Sequence, residues 1–199
     1  MSDSQTPEFE TDNGFLELIQ PRDEKYMEEL EEDIFDHGCR DAVCVWGNTL
    51  IDGHLRYSIC KKWDIRFNIR RLIFQSRDEA EAYLCAEQLK RTDLTSEYKK
   101  YLIGRLFRAD MNAASATFLR EHPEKQPNAD GQISQKYVQK TEIATIIGKE
   151  YNFGFSTVTK YDVYARALDE IRAKGPEITN KILNGNLRVS HENVIELSR

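Results

Sequence analysis

The apolar positions change period several times along the chain, and each change marks an element. Between Pro21 and Gly38, Tyr26, Leu30 and Ile34 recur four apart with Met27 and Phe35 beside them, so this stretch predicts an amphipathic helix. Glu24, Glu28, Glu29, Glu31 and Glu32 fall on its outer face. Before it, residues 15–19 read as a short strand, and residues 1–14, polar and without period, as a disordered tail. Residues 42–46 and 49–52 are apolar runs flanking Gly47-Asn48, which predicts a hairpin. Leu55, Ile59 and Trp63 then place a helix over residues 54–63. Residues 66–74 alternate through Phe67, Ile69 and Ile73 as a third strand, whose basic partners Arg66, Arg70 and Arg71 could line a groove. Ser76 caps a helix that continues to Leu89, and Thr92-Asp93 breaks the pattern. Thr95 opens a further helix with Tyr98, Tyr101, Leu102, Leu106 and Phe107 as its apolar stripe and Lys99, Lys100, Arg105 and Arg108 on the other side.

Periodicity fades over residues 109–136, where Pro123, Pro127, Asn128 and Gly131 fall, so this segment predicts a linker. It separates an N-terminal domain at 15–108 from a C-terminal one at 137–199. In the second, Ile147, Tyr151, Phe153, Val158 and Tyr161 stand at offsets 0, 4, 6, 11 and 14, with Gly148 and Asn152 directly after the first two. That is the spacing of a helix-turn-helix. The position of Gly148 must be small where the second helix crosses, and that of Asn152 suits left-handed backbone in the turn. Ser156, Thr157, Thr159 and Lys160 would face a DNA major groove from a recognition helix that starts at Ser156. A plain helical hairpin with an Asn in its turn has the same spacing. Helices over 164–174 and 178–183, the latter ending at Gly185, and one over 188–197 capped by Ser190 complete the domain.

One stretch carries candidate chemistry in the first domain. Gly53 sits where the hairpin's second strand meets the following helix, with His54 and Arg56 next to it. A helix N-terminus leaves backbone N–H groups unpaired, so this junction suits an anion such as a phosphate. The alternative is that Asp52 caps the helix and no ligand is needed.

Composition narrows the partners. With 199 residues and 40% apolar side chains the chain can build a core. No apolar run reaches a membrane span and no signal pattern opens the chain, which together predict a cytoplasmic protein with no membrane partner. The net charge of −6 is unevenly spread: residues 1–36 carry 13 acidic and 2 basic side chains, whereas residues 37–136 carry 13 acidic and 17 basic. Away from its N-terminus the protein is therefore mildly basic. Cys39, Cys44, Cys60 and Cys85 form no CxxC pair, which predicts buried reduced thiols in preference to a metal cluster of His37, Cys39, Cys44 and His54.

The hairpin, the IDGHLRY stretch, the helix, the stretch EQLKRTDLTSE and the helix-turn-helix follow one another in an order that resembles the ParB-like family, whose N-terminal domain has the ParB/sulfiredoxin fold. The resemblance spans residues 16–107 and, more loosely, 137–199. It implies an α+β chain: a small mixed sheet with helices, then an all-α DNA-binding domain. In that family a Gly-x-x-Arg motif cradles nucleotide phosphates, and Gly53, with His54 beside it, and Arg56 match it. Glu87-Gln88-Leu89-Lys90-Arg91-Thr92-Asp93-Leu94 resembles the second motif, in which Glu87 would be tied to CTP hydrolysis and Arg91 to the triphosphate. Gln88 stands where the family has the Asn that helps hold magnesium; it keeps the amide oxygen but reaches one methylene further, which leaves hydrolysis open. The sulfiredoxin branch carries a cysteine nucleophile at the glycine turn that this chain lacks. Free serine kinases carry a turn similar to Asp52-Gly53-His54-Leu55-Arg56, so an ATP-dependent phosphotransferase or nuclease using Asp52, His54 and Glu87 is the enzymatic alternative. An N-terminal domain that serves only as a scaffold is the third possibility. The resemblance implies a homodimer that binds double-stranded DNA and responds to CTP, or another nucleotide, with magnesium near Glu87 and Gln88.

Overall fold

Two short apolar runs joined at Gly47, whose φ of +58° suits glycine, give the central hairpin of a four-stranded sheet. The structure is a computed structural model describing residues 7–121 and 140–199. Its strands are β1 (Glu10–Thr11), β2 (Val43–Trp46), β3 (Thr49–Asp52) and β4 (Ile69–Leu72), in the order β1-β3-β2-β4. β2 runs antiparallel to β3, while β1 and β4 lie parallel to their neighbours at the two edges. The helices are α1 (Asn13–Leu16), α2 (Glu24–His37), α3 (His54–Trp63), α4 (Arg77–Leu89), α5 (Ser96–Glu121), α6 (Lys140–Tyr151), α7 (Phe155–Lys174), α8 (Pro176–Leu183) and α9 (His191–Ser198). The architecture is α+β, and the chain divides into two compact units at Gln75/Ser76. None of the described helices is long and apolar enough to cross a membrane.

In the first unit α2 is capped by Asp23, whose carboxylate accepts from Tyr26 N at 2.7 Å, and stopped by Gly38 at φ +78°. Ile34, Cys39, Ile59 and Cys60 form one core cluster; Val43, Val45, Leu50 and Tyr57 form another against the sheet. The four cysteines are buried thiols with no disulfide, and burial pushes Cys60 up to about 12. Among the described residues no three His, Cys, Asp or Glu are grouped to hold a metal ion, so the His37, Cys39, Cys44 and His54 cluster is not assembled.

Two N-terminal expectations change. Residues 10 and 11, placed by sequence in a disordered tail, form β1, because Phe9 packs on Tyr57 with ring centroids 5.7 Å apart and donates its N–H to the Tyr57 hydroxyl at 3.0 Å. Residues 1–6 of that tail lie outside the described residues. Residues 15–19, expected as a strand, open within α1: Asp12 accepts from Gly14 N and Phe15 N, and Phe15 and Leu18, three apart, are the buried side chains. Four apolar residues in a stretch of five fit either period, and the Asp12 cap decided for the helix. β4 is also shorter than the alternation over residues 66–74 suggested.

In the second unit, α5 continues as helix to Glu121, through the first part of the stretch that composition marked as a linker. Residues 122–136, the remainder of that stretch, and 137–139 lie outside the described residues. The compact units meet at residue 75 rather than near 109, because α5 packs on both α4 and α7. The helices expected separately from Ser156 and over 164–174 are the single helix α7.

At the α5–α7 crossing, a Cβ built on Gly104 would lie 2.1 Å from the Tyr161 carbonyl oxygen and 2.9 Å from Ala165 Cβ. Arg105 and Arg108, expected on an outer face, turn into this interface instead. Arg105 donates to Glu81 at 2.8 Å and to Asp169 at 3.1 Å; Arg108 donates to Asp162 and Asp169, both at 2.9 Å. Tyr101 donates its hydroxyl proton to Asp169 at 2.7 Å and accepts from Arg172 at 2.9 Å. Such half-buried charges are tolerable because each is paired and hydrogen-bonded.

Gly104→Ala is expected to lower the urea midpoint, by the ~1–3 kcal/mol or more that overpacking costs, since backbone must move to admit one methyl. Asp110 on α5 is pushed up from 3.8 to about 6, first by burial and then by Glu150. A carboxyl whose folded pKa is raised loses stability as pH rises through that range. Asp110→Asn should therefore raise the urea midpoint at pH 7.5 and gain little at pH 4.

Candidate functional site

The Gly53 turn lies within the first unit. β3 ends at Asp52, Gly53 takes φ +89°, and α3 begins at His54. Gly53 at the N-cap has no side chain with which to accept from the first-turn N–H groups. Arg56 folds back over the turn: its Nη2 lies 3.3 Å from the Ala42 carbonyl oxygen and 3.5 Å from Asp52 Oδ2. A Cβ on Gly53 would meet that same Nη2 at 2.9 Å. Both ring nitrogens of His54 and Nε of Arg56 are buried with no hydrogen-bond partner among the described residues. Burial pulls the His54 pKa down against the opposing pull of Asp52. A neutral imidazole, a guanidinium N–H and a helix N-terminus thus converge on one left-handed glycine. Buried polar groups left unmatched are costly, and an anionic, hydrogen-bonding ligand offers them partners. Beside the turn opens a groove of about 550 Å³ whose lining includes His54, Ser58, Lys61 and Lys62. Lys61 is paired to Glu8 at 2.7 Å and Lys62 to Glu31.

Glu87, Gln88 and Arg91 stand at the end of α4 in the second unit, whereas Gly53, His54 and Arg56 stand in the first. Lys90 approaches Glu87 to 2.6 Å, the Gln88 amide oxygen accepts from Arg91 at 3.0 Å, and Arg91 forks onto Asp93 at 3.1 and 2.8 Å. Gln88 is buried. As placed, Glu87 and Gln88 each meet a cation of the protein itself, Lys90 and Arg91.

The α6–α7 junction follows from two residues. Asn152 takes φ +62°, the left-handed conformation that asparagine tolerates better than most side chains. A Cβ on Gly148 would lie 2.4 Å from the Phe153 carbonyl oxygen, and Phe153 N donates to Gly148 O at 2.7 Å. Ile147 and Val158 are buried beneath the turn, and the Phe153 and Tyr161 rings meet edge to face at 5.4 Å. α7 starts at Phe155. Ser156 and Lys160 are exposed one turn apart, while Thr157 and Thr159 are half-buried and Thr159 donates to the Ser156 carbonyl at 3.0 Å.

Sequence spacing did not single out two further groups, one at this junction and one further along α7. Lys99 of α5 holds its ammonium over the Phe153 ring, 5.7 Å from the centroid. His191 of α9 stacks on Tyr164 at 5.0 Å, and its pKa is lowered first by burial and then by Lys100 and Lys160. Neither has a linear signal, because each reaches its aromatic partner from a helix distant in sequence.

No family model matches the sequence, and no curated protein matches it. Among solved structures the chain is similar to the C2221 form of a pNOB8-like ParB N-domain, at 18% identity and a TM-score of 0.55, over 94% of this chain and 74% of that one. It is similar also to a pNOB8-like ParB N-domain at 18% identity and a TM-score of 0.56, over 94% of this chain and 70% of that one. At this identity the likeness is one of backbone arrangement, and it runs through nearly the whole chain: the protein has the α+β fold of a ParB N-domain.

Proposed function

We propose that the protein is a ParB-like DNA-binding protein, acting in partition of plasmid, phage or chromosomal DNA or in transcriptional control, and that it reads duplex DNA with the start of α7. The observation that carries this reading is the α6–α7 turn, where left-handed Asn152 and the close approach at Gly148 support helix-turn-helix geometry. The exposed Ser156 and Lys160 stand where such a helix meets bases and phosphates, and Thr157 and Thr159 flank them. Lys99 beside the turn adds a cation for the DNA backbone. One recognition helix reads one half-site, so a homodimer on a two-fold site is the expected assembly.

A second reading concerns the first unit. The unmatched nitrogens of His54 and Arg56 at the Gly53 turn favour a phosphate-bearing ligand there, and the family resemblance makes CTP the first nucleotide to try. Nucleotide binding would then act on DNA binding by shifting populations between protomer arrangements.

Lys160→Ala should weaken binding to duplex fragments from the protein's own genetic neighbourhood and make the slope of log K against log salt shallower by about 0.9, the share of one phosphate contact. Fluorescence anisotropy across a salt series measures both, and an unchanged affinity and slope would remove α7 as the reading helix. For the nucleotide, calorimetry with CTP, ATP and GTP plus magnesium should show binding that Arg56→Ala abolishes without changing the circular dichroism spectrum. An Arg56→Ala protein that binds as tightly as the unmodified chain would take the Gly53 turn out of the site.

A further inference from the structure

Helix α2 buries Leu30 and Ile34 against the first unit's core and turns a different stripe to solvent. Glu31 and Glu32 follow Glu28 by three and four residues and precede Phe35 by four and three, so the four share one face. With Trp63 at the end of α3 they line a groove of about 350 Å³. Phe35 is 62% exposed and Trp63 47%, and their rings meet edge to face at 5.5 Å. Glu31 accepts from Trp63 Nε1 at 2.5 Å and also pairs with Lys62, which fixes the indole as one wall. Two large aromatic side chains are thus held side by side in water at the end of an acidic stripe.

The charges of α2 are answered unevenly. Lys25 pairs with Glu29, and Arg40 and His37 pair with Asp33. Glu28 and Glu32, one turn apart on the groove face, have no ion-pair partner among the described residues. An uncompensated pair of carboxylates beside exposed aromatic rings repels phosphate, so neither DNA nor an anionic membrane surface matches it. It matches a cationic segment whose ammonium or guanidinium groups meet Glu28 and Glu32 and whose apolar side chain covers the rings. Phe35 and Trp63 offer such a segment apolar area and, through their faces, attraction for a cation.

We propose that the α2–α3 groove is a docking site for a basic segment of another protein, carrying two Lys or Arg residues one helical turn apart followed by an apolar side chain. The carboxylates of Glu28 and Glu32 set the charge and register, and Phe35 and Trp63 receive the apolar anchor. This surface belongs to the first unit alone and does not depend on either reading under the proposed function.

The test is calorimetric titration of the full chain with a synthetic 14-residue peptide bearing Arg at i and i+4 and Leu at i+7, alongside an analogue with Glu in place of Arg. The Arg peptide should bind saturably with one copy per chain, and the Glu analogue should not bind. Glu28→Gln with Glu32→Gln should weaken the Arg peptide about tenfold, the size expected of two solvent-edge ion pairs. Phe35→Ser, at an exposed position where the fold is not at stake, should weaken it comparably. Glu170→Gln with Glu177→Gln, which removes the same charge from the second unit, should leave binding unchanged. Absence of saturable binding, undiminished binding by the groove variants, or equal loss in the Glu170/Glu177 control would overturn the proposal. So would a self-association in sedimentation that the groove variants abolish, because a second copy of the chain would then be the occupant.

Discussion

Backbone-to-backbone contact at Gly104 is the constraint that the second unit depends on. The missing side chain lets α5 come within van der Waals reach of the Tyr161 carbonyl on α7, and few other residues leave that room. Once the two helices are this close, side chains at steps of three and four on either side must face each other. Tyr101, Arg105 and Arg108 on α5 consequently meet Asp162, Asp169 and Arg172 on α7 in a continuous polar network. The network adds little net energy over an apolar interface, but each member left alone would carry an unpaired, partly desolvated charge, so it specifies one alignment of α5 against α7. That alignment sets where the start of α7, with Ser156 and Lys160, is presented.

The first unit is organised around a different glycine. Gly53 takes a left-handed conformation at the end of the central hairpin, and this lets β3 turn into α3 without a side chain over the helix N-terminus. Arg56 fills the space instead, and with His54 it leaves hydrogen-bonding nitrogens unmatched where the backbone also offers donors. Stable interiors avoid such groups, so their concentration at one turn distinguishes it from the rest of the sheet, where strand pairing satisfies the backbone. Charge is segregated in the same way: the acidic α2 carries an aromatic groove, while Lys99 and Lys160 stand at the α6–α7 junction.

Most features whose cause lies within a few residues were legible in the sequence, the Asp12 cap of α1 excepted. α3 spans the residues that its apolar spacing predicted, the hairpin turns at Gly47, and Ser76 and Ser190 cap the helices they were expected to cap. Gly148 and Asn152 were picked out for close crossing and for left-handed backbone, and they have those properties. Where the cause lies elsewhere in the chain, spacing misled. β1 is two residues long and owes its place to Phe9 on Tyr57; Arg105 and Arg108 looked solvent-facing because their carboxylate partners lie on other helices, Glu81 on α4 and Asp162 and Asp169 on α7.

The sequence by itself determined the local elements, their caps and the two glycine-dependent turns, because capping, turn conformation and helical period are properties of neighbouring residues. Only the tertiary structure decided that helix continues from 109 to 121, that Lys99 lies over Phe153 at the α6–α7 junction, that His191 stacks on Tyr164 further along α7, and that Phe35 and Trp63 share an acidic groove. Each of these depends on which surfaces meet after the elements form, and that choice is made by packing and charge pairing between residues the chain keeps far apart.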